Sequence, residues 1–185
     1  MIGRWLTVVS AIILSAACTN AVGGAPAPDS GEPRLPARPR VLSIAGVDPC
    51  AALTGVQLKS LGVVRYAARK PDGGRGASCE WDHYPSEPLE SYSLDINTRG
   101  GVELVFGSAQ LQVTTVAGFG AVQTPAPYGG STQNCVVNVD VAPSQAVQVA
   151  YFYNGQTVPM THEIACRKAR NAAELAMQTI LAQAG

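Results

Sequence analysis

Charge is scarce in this chain. Only 14% of its 185 residues are Asp, Glu, Lys or Arg, and 13 basic and 13 acidic residues cancel; ordinary domains carry roughly 25%. A near-neutral chain has no basic face for phosphate, which argues against nucleic acid as a partner. Several chemical signatures are missing as well. No two cysteines are spaced Cys-x-x-Cys, which weighs against a structural zinc site and a thioredoxin-like site. Neither Gly-x-Ser-x-Gly nor Ser-x-x-Lys occurs, so the usual serine hydrolase signatures are lacking. The apolar run over residues 5–17 falls short of the roughly 20 residues that cross a bilayer.

That short run is nevertheless the most informative stretch present. Arg4 precedes it, Thr7 and Ser10 are its only early interruptions, and Ser15, Ala16 and Ala17 lead into Cys18. A positive start, an apolar middle and small residues at the end make an export signal. A cysteine directly after the small residues makes the signal a lipobox. The large aliphatic residue, Leu14, lies one place earlier than usual, because Ser15 occupies the position three before the cysteine. Cleavage before Cys18 would make it the lipidated first residue. The diacylglyceryl thioether supplies two acyl chains and an amide-linked palmitate-type acyl group a third, enough for stable attachment. The expected address is the outer, extracytoplasmic face of the cell membrane. The rival reading is an ordinary secreted protein cleaved elsewhere.

The cysteine count agrees. Of the five cysteines, lipid on Cys18 leaves Cys50, Cys79, Cys135 and Cys166, an even number for an oxidising compartment. Four cysteines allow three pairings. Topology favours Cys135–Cys166, because the hairpin expected after Cys135 returns the chain beside it just before the helix that holds Cys166. Cys50–Cys79 follows largely by elimination, and Cys50–Cys166 with Cys79–Cys135 stays open as the rival.

Three segments are expected: a signal over 1–17, a lipid-anchored tether over 18–40 and a globular domain over 41–185. Pro26, Pro28, Pro33, Pro36 and Pro39 stand among Gly, Ala and Ser in the tether, a composition that buries too little surface to offset its ordering entropy. Arg34, Arg38 and Arg40 could touch anionic headgroups, although a plain soluble spacer is the simpler reading. In the domain, Asp48-Pro49 and the capping box Thr54 to Gln57 start short helices, and Gly62 stops them. Strands are expected over 63–67, 78–84, 91–97, 136–141 and 146–153, with 102–112 leaning to helix. Gly118-Phe119-Gly120 reads as a tight turn or bulge and not a nucleotide loop. Residues 161–182 form the best helix. Its apolar stripe runs Cys166, Ala169, Ala173, Met177, Ile180 and Ala184, small at the start, so it should approach its sheet closely there. The fold class is therefore α+β: a mainly antiparallel sheet of about five strands, a C-terminal helix packed on one face and a short N-terminal helix.

With those residues in view, the chain resembles a family of actinobacterial lipoproteins known as domain of unknown function 3558. The resemblance rests on Asp48-Pro49-Cys50, Leu53-Thr54, Cys79-x-Trp81, Gly118-Phe119-Gly120, Cys135 and Cys166-x-Lys168-Ala169. Ala121 and Arg167 stand where the family usually has acidic residues. The family implies a membrane-anchored extracytoplasmic domain and no reaction, so no catalytic residue carries over.

The remaining constellations favour structural roles. His162, Glu163 and Cys166 lie within one helical turn, but a metal would need Cys166 as a free thiolate, so no metal and no cofactor is expected. Glu80, Asp82 and His83 suggest acid–base work only until strand alternation puts His83 on the opposite face from both carboxylates. Tyr151 and Tyr153 share a face opposite Phe152; if Phe152 is core, the tyrosines form a contact patch for a protein or small ligand. The function expected is a non-enzymatic, tethered binding, sensory or accessory module, partnered with the membrane through Cys18 and with an envelope or membrane protein. An envelope enzyme with an unrecognised site, or a carrier of a small apolar ligand, is the alternative.

Overall fold

The computed structural model describes residues 34–63, 66–69, 76–83, 89–108, 110–125, 133–155 and 159–184. Cys18, the export signal and most of the tether lie outside the described residues, as do the side chains of Asp82 and His83. The described residues belong to one compact unit, Glu32–Gly185. A separate unit, Met1–Gly31, lies outside them.

Seven strands form a single sheet in the order β1-β2-β3-β7-β6-β5-β4. They are β1 (Tyr66–Arg69), β2 (Gly76–His83), β3 (Glu90–Asn97), β4 (Gln112–Val116), β5 (Phe119–Pro125), β6 (Cys135–Ala142) and β7 (Gln145–Tyr153). Every neighbouring pair is antiparallel. The sheet is thus larger than the expected five strands, and the two additions are β4 and β5. They form a hairpin whose turn is Ala117-Gly118, with Val116 paired to Phe119. Both turn residues have positive φ, 49° and 81°, the geometry that matches the right-handed twist of paired strands. Alanine is an unusual residue there. A contact from elsewhere steadies it: the Ala117 amide donates to Glu174 Oε2 at 2.9 Å. The stretch leaning to helix before this hairpin is only a 3₁₀ turn, Val102–Val105.

Gly120 has a different task. A Cβ there would stand 3.1 Å from the Pro36 carbonyl oxygen and 3.2 Å from Leu35 Cβ. The sheet takes in part of the stretch read as tether through this close approach. Leu35 packs beside Val102, Val122 and Ala146, Arg38 bonds Asp140 at 2.7 Å, and the Leu42 amide donates to the Val141 carbonyl at 2.9 Å. Arg38 is therefore tied to the sheet.

The helix starts follow the local chemistry. Asp48 accepts from the Cys50 amide above the 3₁₀ turn Pro49–Ala51. Thr54 and Gln57 complete a reciprocal capping box on α1 (Gly55–Ser60). Gly62 ends it at φ +84°. Gln57 also ties α1 to the C-terminal helix, its Nε2 donating to the Leu175 carbonyl at 2.9 Å.

That helix, α2 (His162–Gln183), is capped by Thr161, whose side chain accepts from the Ile164 amide. Its buried face is Ala165, Cys166, Ala169, Ala172, Ala173, Ala176, Met177 and Ile180, while Ala184 is exposed. It lies across β6 and β7 and reaches β4 and β5. The alanines let the helix come close, and the bond between Cys135 and Cys166 closes the contact at a Cα–Cα distance of 4.9 Å. A second bond joins Cys50 to Cys79. Strand alternation sends Trp81, Tyr92, Leu94, Val137, Val149 and Phe119 to this same face, where all are buried.

The expected tyrosine patch is corrected here. Tyr151 and Tyr153 are 0% and 1% exposed, in the core, and Phe152 is half-buried on the other face beside Val136 and Ala150. The reason is register. Tyr151 pairs with Cys135 across β6 and β7, and directly opposed residues share a face. Since Cys135 must meet Cys166 on the helix, Tyr151 is carried inward with it and meets the Tyr92 ring in a tilted contact, 5.3 Å between centroids.

Two expectations follow. Ala173→Leu should cost about 1–3 kcal/mol by overpacking the helix–sheet contact, read as a lower urea midpoint; an unchanged midpoint would mean that the helix stands off the sheet. Non-reducing peptide maps should show Cys50 joined to Cys79 and Cys135 to Cys166, and no peptide joining Cys50 to Cys166.

Candidate functional site

The face of the sheet away from α2 is polar where the helix face is apolar. The alternation that buries Leu94, Ile96, Val137 and Val149 turns Asp95, Asn97, Asn138, Asp140 and Gln148 to the opposite side. A bare polar face would be solvated, yet Asn138 is only 4% exposed and Asp140 5%. The cover comes from outside the sheet. The segment around Leu35 and Arg38 lies over Asp140, and the 3₁₀ turn sends Val102 down against Val122 and Ala146. Gly100 bridges to Gln145 and anchors the approach to the turn.

Between turn and sheet a cavity of about 120 Å³ remains, lined by Asn97, Gly100, Gly101, Leu104, Val105, Asn138 and Gln148. Three carboxamides from three adjacent strands, β3, β7 and β6, converge on it. Asn97 Nδ2 donates to Gln148 Oε1 in a long bond of 3.4 Å. Asn138 Nδ2 is buried and has no hydrogen-bond partner among the described residues. An orphaned buried donor of this kind costs about 1–3 kcal/mol. No lining residue carries a charge. Leu104, 56% exposed, forms an apolar lip. The Gly101 amide donates to Glu103 Oε1 at 3.0 Å, which fixes the start of the turn above the cavity.

Farther along β3, Asp95 stands opposite Ser78 on β2 and Gln148 on β7. Burial and the charge of Glu80 push its carboxyl up to about 6. Asp95 is not among the cavity residues, although it lies directly opposite Gln148, which is.

The other constellations read from the sequence fall elsewhere. Near the start of α2, His162 Nε2 lies 3.5 Å from Cys166 Sγ, and the ligand atoms of Cys135, His162 and Cys166 lie within 4.8 Å of one another. A thiolate is what a metal binds, and both sulfurs are spent on the disulfide, which leaves His162 alone in that trio. Beside it is a cavity of about 300 Å³ lined by Gln112, Gln123, Glu163, Arg167 and Arg170 as well as His162 and Cys166. Glu163 and Arg167 face each other across 4.0 Å on the surface, and Arg170 reaches Gln123 at 3.4 Å. Lys168 bonds both oxygens of Glu90 at 2.8 Å, above the Tyr151 ring at 5.2 Å. Burial first, then the Glu90 charge, raises the Tyr92 and Tyr151 hydroxyls well above the ordinary tyrosine range; these are core groups and hold their protons.

Glu80 is half-buried and influences Asp95, which the sequence did not suggest. Asn97, Asn138 and Gln148 were missed altogether. Asn138 and Asp140 are the two polar interruptions of an otherwise aliphatic strand, and that is their only mark in the sequence.

The fold and its polar-faced sheet define an α+β domain in which one disulfide ties the 3₁₀ turn Pro49–Ala51 to β2 and another ties α2 to β6. The model of a family described as protein of unknown function (DUF3558) matches residues 13–179, and the chain belongs to that family. No curated protein matches it, and no solved structure does.

Asp95 generates a prediction about pH. Its carboxyl holds a proton more tightly in the folded chain than in the unfolded one between the ordinary value of 3.8 and about 6. Stability is therefore lost as pH rises through that window and stays lost above it. Asp95→Asn should flatten the pH 4–6 slope and raise stability at pH 7 by about 1–2 kcal/mol. Urea titrations at several pH values check this; an unchanged slope would show that Asp95 is ordinarily solvated.

Proposed function

We propose that this protein is a lipid-anchored, extracytoplasmic binding module of the cell envelope, sensory or accessory to membrane proteins, and not an enzyme. The observation that carries the address is the cysteine balance. All four cysteines of the described domain are joined in two disulfides, which belong in an oxidising compartment. Cys18 is then the one cysteine left over, and it stands where an export signal ends. A diacylglyceryl group on its sulfur explains both its position and the odd count.

Binding is supported over catalysis by the kind of groups that converge. Carboxamides and backbone groups hydrogen-bond a ligand but do not exchange protons near neutral pH. The tether that remains, from Cys18 to the packed residues near Leu35, is rich in proline and glycine and suits a domain held a short way off a membrane.

Cys18→Ser tests the address. Expressed in the native host, the variant should leave the membrane fraction or accumulate unprocessed. The intact mass of the mature wild-type chain should carry diacylglyceryl on residue 18. A mature wild-type chain that starts elsewhere without lipid would overturn the proposal.

A further inference from the structure

We propose that the cavity between the 3₁₀ turn and the polar face of the sheet binds the acetamido group of an N-acetylated amino sugar. The inference rests on the binding-module reading and names its ligand class. It starts from what the lining can and cannot satisfy.

The lining is uncharged: Asn97, Gly100, Gly101, Leu104, Val105, Asn138 and Gln148. An ion placed there would lose its hydration with no counter-charge, so the ligand group is neutral. Asn138 Nδ2 has no partner among the described residues and is buried; it requires an acceptor. The contact from Asn97 Nδ2 to Gln148 Oε1 uses one donor and one acceptor. It leaves Asn97 Oδ1 to accept and Gln148 Nε2 to donate. The free groups include the Asn138 and Gln148 amide nitrogens as donors and the Asn97 carboxamide oxygen as an acceptor, facing an apolar lip made of Leu104 and Val105.

A secondary amide with a methyl group answers that set. Its carbonyl oxygen has two lone pairs for the Asn138 and Gln148 donors. Its N–H has Asn97 Oδ1. Its methyl has Leu104 and Val105, which a hydroxyl in the same place would not use. Size agrees. The cavity of about 120 Å³ is worth about four waters at ~30 Å³ each, and an acetamido group has four non-hydrogen atoms. A pendant group of that size fits, whereas a peptide strand would need a groove open at both ends. Asp95, the next residue on that face of β3, lies about 7 Å along the strand from Asn97, within reach of a hydroxyl on the attached ring.

The backbone is shaped to keep the lip in place. A Cβ at Gly100 would collide with Leu104 Cδ1, so Leu104 rests directly on the Gly100 backbone over the cavity. The Gly101 amide bond to Glu103 holds the turn that carries both. No step is chemical; the proposal is recognition only.

The experiment titrates the full chain, purified in detergent, with two sugars that share a β-1,4 backbone. Chitotetraose carries the acetamido groups and cellotetraose carries hydroxyls in their place. Chitotetraose should bind saturably and at least about tenfold more tightly, a difference of about 1.4 kcal/mol. Asn138→Leu, with the same branching but without the donor, should weaken chitotetraose by about tenfold or more. Leu104→Ser, on the exposed lip where folding is not at stake, should weaken it by a smaller factor and leave the thermal midpoint unchanged. A tetra-alanine peptide should not compete. Equal binding of the two sugars, no saturation by ~10 mM, competition by the peptide, or chitotetraose binding that survives both substitutions would each overturn the assignment. The anchored-module reading fails by a separate measurement, the mass and fractionation of the Cys18 chain, so the two failures are distinguishable.

Discussion

The bond between Cys135 and Cys166 draws the first strand of the central hairpin and the start of the C-terminal helix to a Cα separation of 4.9 Å. A helix can sit so close only where its facing residues are small, and Ala165, Ala169, Ala172 and Ala173 supply that surface. The remaining assignments follow from this contact. Once Cys135 faces the helix, alternation sends Val137 and Val139 the same way, register brings Tyr151 and Val149 in beside them, and the next strand adds Tyr92 and Leu94. Closing a loop of 31 residues also removes unfolded-chain entropy worth roughly 3–4 kcal/mol in the chain-entropy account.

The opposite face shows what the helix contact leaves behind. It inherits the more polar half of the alternating strands and forms only two small apolar clusters, around Val122 and Ala146 and around Val136 and Ala150. Two pieces of chain cover it all the same, and each brings its own compensation. The segment before β1 offers Arg38 to Asp140, a charge pair of 2.7 Å with the carboxylate buried, where a lone buried carboxylate would be costly. The 3₁₀ turn brings Val102 to Val122 and Ala146, a small satellite of apolar contact. Between these two patches the carboxamides of Asn97, Gln148 and Asn138 are only partly satisfied. Incomplete satisfaction in a covered, neutral cavity is a physical reason to look there for a ligand; on the helix side the Tyr151 hydroxyl is likewise buried without a partner among the described residues, but it stands alone in a packed core beside a closed disulfide.

Family membership adds a name without a reaction, since the family itself is described as of unknown function. The features of this chain that bear on function are its own residues, the two disulfides beside a lone Cys18 and the uncharged hydrogen-bonding cavity.

Local patterns were legible in the sequence wherever the cause is local. The capping box of Thr54 and Gln57, the stop at Gly62, the helix from Thr161 and the hairpin of β6 and β7 all depend on neighbours in the chain or on simple alternation; the pairing of the cysteines, which spacing left open between rivals, is fixed by the fold. The hairpin of β4 and β5 was not legible, because its turn puts an alanine at positive φ and leans on Glu174 from a helix 57 residues away. The side of the tyrosines was not legible either, since alternation says that Tyr151 and Tyr153 oppose Phe152 but not which of the two faces is core; the register with Cys135 decides that. By itself the sequence determined the strands' periodicity and the helix ends, each a matter of spacing along the chain, and the count of five cysteines. Which face is buried, and that Asn138 lies beneath a turn instead of in water, only the tertiary structure decided, because burial depends on what distant segments come to lie on top.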